Sequence, residues 1–231
     1  SQDLDAARQA LSDVCLKAEN PESCTQKLID MLDKAQPGQK VVLLRVLSAI
    51  GGPKALEAVH GAIDNPSQEV RVAAIRALGT WKTTDAAPYL LALAKSVSEP
   101  SDKALCLRGY LGLAAHPGLT AGERLSMCKQ AAILIERDDE KKLLLSALGS
   151  INSPEALALI MPYLDDPAAR AEAGTAYVAI AEKILKKRNS SKLAPKLVES
   201  LEKVAQNTTD AKLAERAKAL LRQARKSTRN K

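Results

Sequence analysis

Apolar side chains recur at three- and four-residue spacing along almost the whole 231-residue chain, interrupted by short polar or Gly/Pro-rich breaks. That spacing gathers the apolar positions on one face of a helix. It predicts helices over 3–18, 21–34, 39–50, 53–63, 67–79, 85–96, 102–115, 121–136, 139–150, 154–164, 168–187, 192–206 and 210–226. The breaks carry the chemistry of helix ends. Asn20-Pro21, Ser153-Pro154 and Asp166-Pro167 each set a capping side chain before a proline, whose missing N–H costs nothing in a first helical turn. Gly51-Gly52 and Gly79 stand where a helix must stop. Helices this short are marginal alone and must bury a face against neighbours.

Composition narrows the class. Hydrophobic residues make up 46%, led by Ala and Leu, while aromatics are 2%, with no Phe and one Trp. Ala and Leu are strong helix formers, and the aromatic and β-branched residues on which sandwiches and barrels lean are scarce. No apolar run reaches the roughly 18 residues of a membrane span. The expectation is an all-α protein.

The chain also repeats itself. The stretches 43–66, LLRVLSAIGGPKALEAVHGAIDNP, and 144–167, LLSALGSINSPEALALIMPYLDDP, align without a gap at about nine identities in 24 positions. Leu43/Leu144, Leu47/Leu148, Pro53/Pro154, Leu56/Leu157, Asp64/Asp165 and Pro66/Pro167 are among the matches. Each copy reads as two helices about a two-residue corner, followed by a D-x-P turn. A weaker copy lies at 73–93.

The stretch DNPSQEVRVAAIRALG, residues 64–79, resembles the HEAT-repeat pattern D-x-x-x-x-V-R-x-x-A-x-x-A-L-G. Asp64 or Asn65 takes the Asp place, and Val70, Arg71, Ala74, Ala77, Leu78 and Gly79 match. The resemblance implies a right-handed α-solenoid, a superhelix of about six HEAT-like helix pairs, with Asp and Arg side chains laddered between successive units. Glu172 falls where Arg71 aligns in the second copy, which breaks that ladder. The chain is read as one HEAT-repeat domain: a helical hairpin over 1–38, core repeats over 39–180 and capping helices over 181–231. It is also similar to HEAT segments of exported proteins of Planctomycetes, Verrucomicrobia and Bacteroidetes.

Charge is unevenly spread. The net charge is +7, but residues 183–231 alone hold about 15 basic and about 4 acidic side chains, so the rest is mildly acidic. The cations of this end, Lys186, Lys187, Arg188, Lys192, Arg222 and Arg225 among them, are candidates for binding a polyanion such as nucleic acid. The simpler reading is a water-soluble cap on a helical stack. Of four cysteines, Cys15 and Cys24 flank the AENPES loop at positions an antiparallel hairpin brings to similar depth, a candidate disulfide in an oxidising compartment. Cys106 and Cys128 read as buried thiols serving as small apolar side chains. The first residue is Ser1, so a processed or excised chain is expected, with a periplasmic or secreted setting favoured over a cytoplasmic one.

Candidate catalytic chemistry is thin. His60 and His116 are the two histidines, and neither belongs to an HExxH or a His-Glu pair of the kind with which the HEAT-repeat deoxyhypusine hydroxylases hold iron. Gly-x-Ser-x-Gly and a phosphate-binding Gly-rich loop are both missing. The acids of RDDEKK, 137–142, suit the positive end of a helix. No catalytic residue, cofactor or metal is called for. The expectation is a non-enzymatic scaffold, a module of a larger exported bacterial protein, that binds a protein partner on its concave face. Trp81, Tyr89, Arg108 and Tyr110 are the candidate exposed anchors, being of the types that carry binding hot spots.

Overall fold

In the computed structural model the described residues are 13, 15, 17, 20–186 and 192–229. They form twelve α-helices. The helix expected over 3–18 lies mostly outside them, as do Lys187 and Arg188. The chain divides at the His116–Pro117 step into two compact units, a boundary that falls within the 39–180 run of core repeats.

The first unit holds α1 (Pro21–Lys34), α2 (Pro37–Ile50), α3 (Pro53–Gly61), α4 (Gln68–Gly79), α5 (Ala87–Ser96) and α6 (Pro100–Leu113). The helices α2, α4 and α6 pack side by side in a front row, while α1 and α3 pack together behind α2 and α5 lies against α4 and α6. Leucines at the apolar spacing, Leu44, Leu47, Leu78, Leu90 and Leu107, are fully buried between them. Small residues set how closely the front row packs. Ser48 Oγ donates to the Ala77 carbonyl across 2.9 Å, joining α2 to α4. At the α4–α6 crossing a Cβ built on Gly109 would stand 2.8 Å from the Gly79 Cα, so the two backbones touch.

The second unit repeats the plan with α7 (Ala121–Ala132), α8 (Asp138–Gly149), α9 (Pro154–Ile160), α10 (Arg170–Leu185), α11 (Ala194–Asn207) and α12 (Ala211–Arg229). Its front row is α8, α10 and α12. Gly149, which aligns with Ser48, closes on Ala176, where an added Cβ would come within 3.1 Å. Tyr177 is 1% exposed, and its hydroxyl hydrogen-bonds with the buried Ser200. Gln223 Nε2 donates to the Leu185 carbonyl at 3.2 Å, tying α12 to α10.

The helix ends follow local chemistry. Asn20 Oδ1 accepts from the Ser23 N–H at 3.0 Å, and Ser153 Oγ accepts from the Glu155 N–H at 3.2 Å. Gly51 and Gly52 turn the α2–α3 corner at φ 76° and 89°, a region that side-chain-bearing residues avoid. Asp166-Pro167 departs from the expectation of a direct cap. Asp166 Oδ1 accepts from the Ala168 N–H at 2.9 Å, and the helix begins only at Arg170, whose N–H meets the Asp166 carbonyl at 2.8 Å. The helices expected over 53–63 and 154–164 both end in a 3₁₀ turn, at Ala62–Asp64 and at Met161–Leu164. A D-x-P turn follows each, and tightening the last turn is a common way for a helix to finish.

Candidate interaction surface

The front row of the first unit places one arginine of each helix at the same repeat position: Arg45 in LLRVL, Arg76 in AIRAL and Arg108 in CLRGY. All three are exposed. Between α2 and α4 lies a groove of about 380 Å³ lined by Arg45, Ser48, Ala49, Arg76, Ala77, Thr80 and Lys82. Its two hydroxyls already serve the fold: Ser48 donates to the Ala77 carbonyl, and Thr80 Oγ1 donates to the Arg76 carbonyl at 3.1 Å. Arg45, Arg76 and Lys82 form no ion pair among the described residues, and no carboxylate lines the groove.

The second unit has a groove in the corresponding place, about 460 Å³ between α8 and α10. There Ser146 takes the arginine position, and the one charged pair in the lining, Lys142 with Glu172 at 3.2 Å, neutralises itself. The rest is Leu145, Gly149 and small residues of α10. A third groove, about 540 Å³ between α1 and α2, is apolar around the exposed Met31.

The expected anchors divide. Arg108 is exposed and Tyr89 is half-buried, its ring 4.3 Å from that of His60. Trp81 and Tyr110 must be corrected: they are 5% and 3% exposed, and so are core side chains rather than surface anchors. Repeat register explains both. With Arg76 aligned on Arg45, Trp81 occupies the place of Ile50, and of Ile151 in the second copy, the apolar residue that closes the helix. With Arg108 aligned on Arg76, Tyr110 occupies the place of Leu47, Leu78 and Leu148, each fully buried. Aligning the weaker copy at 73–93 residue by residue places Trp81 on Ile50; residue type alone pointed the other way.

Some cations of the basic end are answered by acids. Lys186 and Arg216 both meet Glu182, at 3.3 and 2.9 Å, Lys203 meets Asp165 at 2.9 Å, and Arg225 pairs with Glu202. Arg222 lies close enough to Glu215 to help hold its carboxyl below the usual range, after Lys218. Lys192 is exposed.

Reactive groups are occupied or suppressed. His116 Nε2 sits 3.1 Å from the Lys82 carbonyl, and His60 faces Tyr89. Burial pushes the Cys106 and Cys128 thiols up to about 12, with Asp102 adding to the effect at Cys106. Cys15 and Cys24 are joined as a disulfide, with Cα atoms 5.5 Å apart.

Residues 25–107 match the family model for HEAT repeats. This stretch is similar to HEAT repeats. Its VRxxAxxALG run is the front-row helix α4, so the motif and the arginine-bearing face coincide. Among the described residues Arg71 of this motif makes no rung to a carboxylate: its Nη1 donates to the carbonyls of Asn65 and Pro66 at 3.2 and 3.1 Å, closing the turn of its own repeat. Among solved structures, an engineered protein is 18% identical, with a TM-score of 0.52, covering 88% of this chain and 97% of its own. The CpcE–CpcF complex of phycocyanin lyase from Nostoc sp. PCC7120 is 17% identical, with a TM-score of 0.42, covering 97% of this chain and 91% of its own. No curated protein matches the chain. The first likeness is one of fold alone.

Proposed function

We propose that the chain is a non-enzymatic HEAT-repeat scaffold, a module of a larger exported protein, that binds a protein partner along its front-row helices, the one-helix-per-pair face that a solenoid presents as its concave side. The observation that carries this is the recurrence of exposed Arg45, Arg76 and Arg108 at one repeat position on three successive helices. Arginine is enriched where proteins meet. The employment of both histidines in packing, and the two thiols held near 12, support a non-catalytic role. The Cys15–Cys24 bridge supports an oxidising, exported setting. Polyanion binding through the basic C-terminal helices is the alternative, and it loses force because Lys186 and Arg225 already face acids.

Photo-crosslinking residues placed on the front row at Thr80, Ser146 and Thr175, and behind it at Glu57, Lys95 and Ala158, test the reading in the native host. All six positions are exposed. Crosslinks to one protein confined to the front-row positions are expected. Equal crosslinking behind the row, or a turnover activity abolished by a single substitution, would overturn it.

A further inference from the structure

We infer that the groove between α2 and α4 is the docking site for a carboxylate-rich segment of the protein partner. The inference rests on the partner reading above and names the chemistry of what is bound. Three cations, Arg45, Arg76 and Lys82, converge on a groove of about 380 Å³ whose lining contains no acid. Other cations of this chain stand beside acids: Lys54 meets Glu22 at 2.8 Å, and Lys141 meets Asp138 and Asp166 at 2.8 Å each. Residues 1–116 hold equal numbers of basic and acidic side chains, so the groove is a local concentration of positive charge on a neutral unit. Three uncompensated cations brought together repel one another, and a ligand's carboxylates would relieve that repulsion.

The chemistry also discriminates among anions. The volume exceeds that of a single small ion and suits one or two side chains. Its floor is Ala49 and Ala77, which accept aliphatic or backbone contact. Guanidinium groups grip carboxylates in a two-pronged fashion, which adds direction to attraction. Single-stranded nucleic acid needs stacking platforms, and the nearest aromatic of sufficient size, Trp81, is buried. Duplex binding draws its strength from many phosphate contacts, which a unit of zero net charge does not spread over its surface. The groove between α8 and α10 lacks this character because Lys142 is matched by Glu172, so the acidic segment is placed on the first unit alone.

The test uses the full chain and three labelled probes: a short peptide rich in Asp and Glu, its Asn/Gln counterpart and an oligothymidylate. Binding is followed by fluorescence anisotropy. The acidic peptide binds, the amide peptide and oligothymidylate do not, and the double variant R45E/R76E weakens the peptide by about tenfold or more. Both side chains are exposed, so the melting temperature of the variant serves as the check on folding. The variant R45K/R76K, which keeps the charge and loses the two-pronged grip, binds less tightly than the parent and more tightly than R45E/R76E, and R222E/K226E on the last helix leaves binding unchanged. Absent peptide binding, equal binding of the amide peptide, oligothymidylate binding lost in the same double variant, or affinity undiminished in R45E/R76E each overturns the inference. The crosslinking experiment separates it from the broader reading: front-row crosslinks that persist unchanged in R45E/R76E leave the scaffold standing and remove the acidic segment.

Discussion

Glu140 shows how much one side chain can carry. It is 2% exposed, yet its Oε2 accepts from the N–H groups of Glu136 and Arg137 at 3.0 and 3.1 Å, answering donors that the start of α8 would otherwise leave open. Replacing it by Ala takes the acceptor from two part-buried hydrogen bonds at a helix start, and Glu140→Ala should cost about 0.5–2 kcal/mol in urea unfolding. Asp139, its exposed neighbour, should tolerate the same change within about 0.5 kcal/mol. Trp81 offers a second test. Its burial predicts a blue-shifted emission poorly quenched by acrylamide, and Trp81→Ala should destabilise the first unit by about 3–5 kcal/mol. A red-shifted, freely quenched emission would return Trp81 to the surface. The Cys15–Cys24 bridge predicts an intact mass about 2 Da below the fully reduced value when no reductant is present.

Two glycines on α6 make opposite predictions about the element that carries them. Gly109 lies against the Gly79 backbone, and an alanine there must force α4 and α6 apart, so Gly109→Ala should cost about 1–3 kcal/mol. Gly112, one turn on, faces open space, and Gly112→Ala should stabilise the helix by about 0.5–1 kcal/mol. Denaturant unfolding of both variants checks the sign as well as the size. Elements were the most legible part of this sequence. Period 3.6, Pro at helix starts and Gly at the 51–52 corner are local signals, and the helices lie close to where those signals put them. What sequence pattern missed is decided by tertiary packing. The 3₁₀ endings of the two aligned copies, the delayed start of α10 after Pro167 and the burial of Trp81 and Tyr110 depend on what the next helix presents. The groove cations were missed for a related reason: hot-spot reasoning singled out Arg108 by type, whereas the convergence of Arg45, Arg76 and Lys82 needs the α2–α4 contact to exist.

At the scale of the molecule the two units differ in how they hold charge. In the second unit, hydrogen bonds from Thr120, Ser153, Lys141, Arg216 and Lys218 hold Glu123, Glu155, Asp166, Glu182 and Glu215 respectively below the usual carboxylate range. In the first unit only Glu22 among the described residues is lowered, by Lys54. A carboxyl depressed in the folded state stabilises it above the unfolded pKa of about 4 and loses that contribution as pH falls through the folded value. Acid should therefore weaken the second unit before the first. Circular dichroism, which follows both, should begin its acid transition at higher pH than Trp81 emission, which follows the first unit alone. Coincident transitions would show that these bonds add nothing to the difference. Lys141, raised by Asp138 and Asp166, works in the opposite sense: its contribution is complete below its unfolded pKa and is lost only as strong alkali deprotonates it.

Cys106 lies in the first unit and Cys128 in the second, each buried and each held near 12. A thiol in that state meets an alkylating reagent only when the helices around it open, so the chain carries one chemical clock in each half. Pulse labelling followed by peptide mass analysis would read two opening rates from one sample. A ligand confined to the α2–α4 groove should slow the Cys106 clock, and whatever it does to the Cys128 clock measures how strongly one half feels the occupancy of the other.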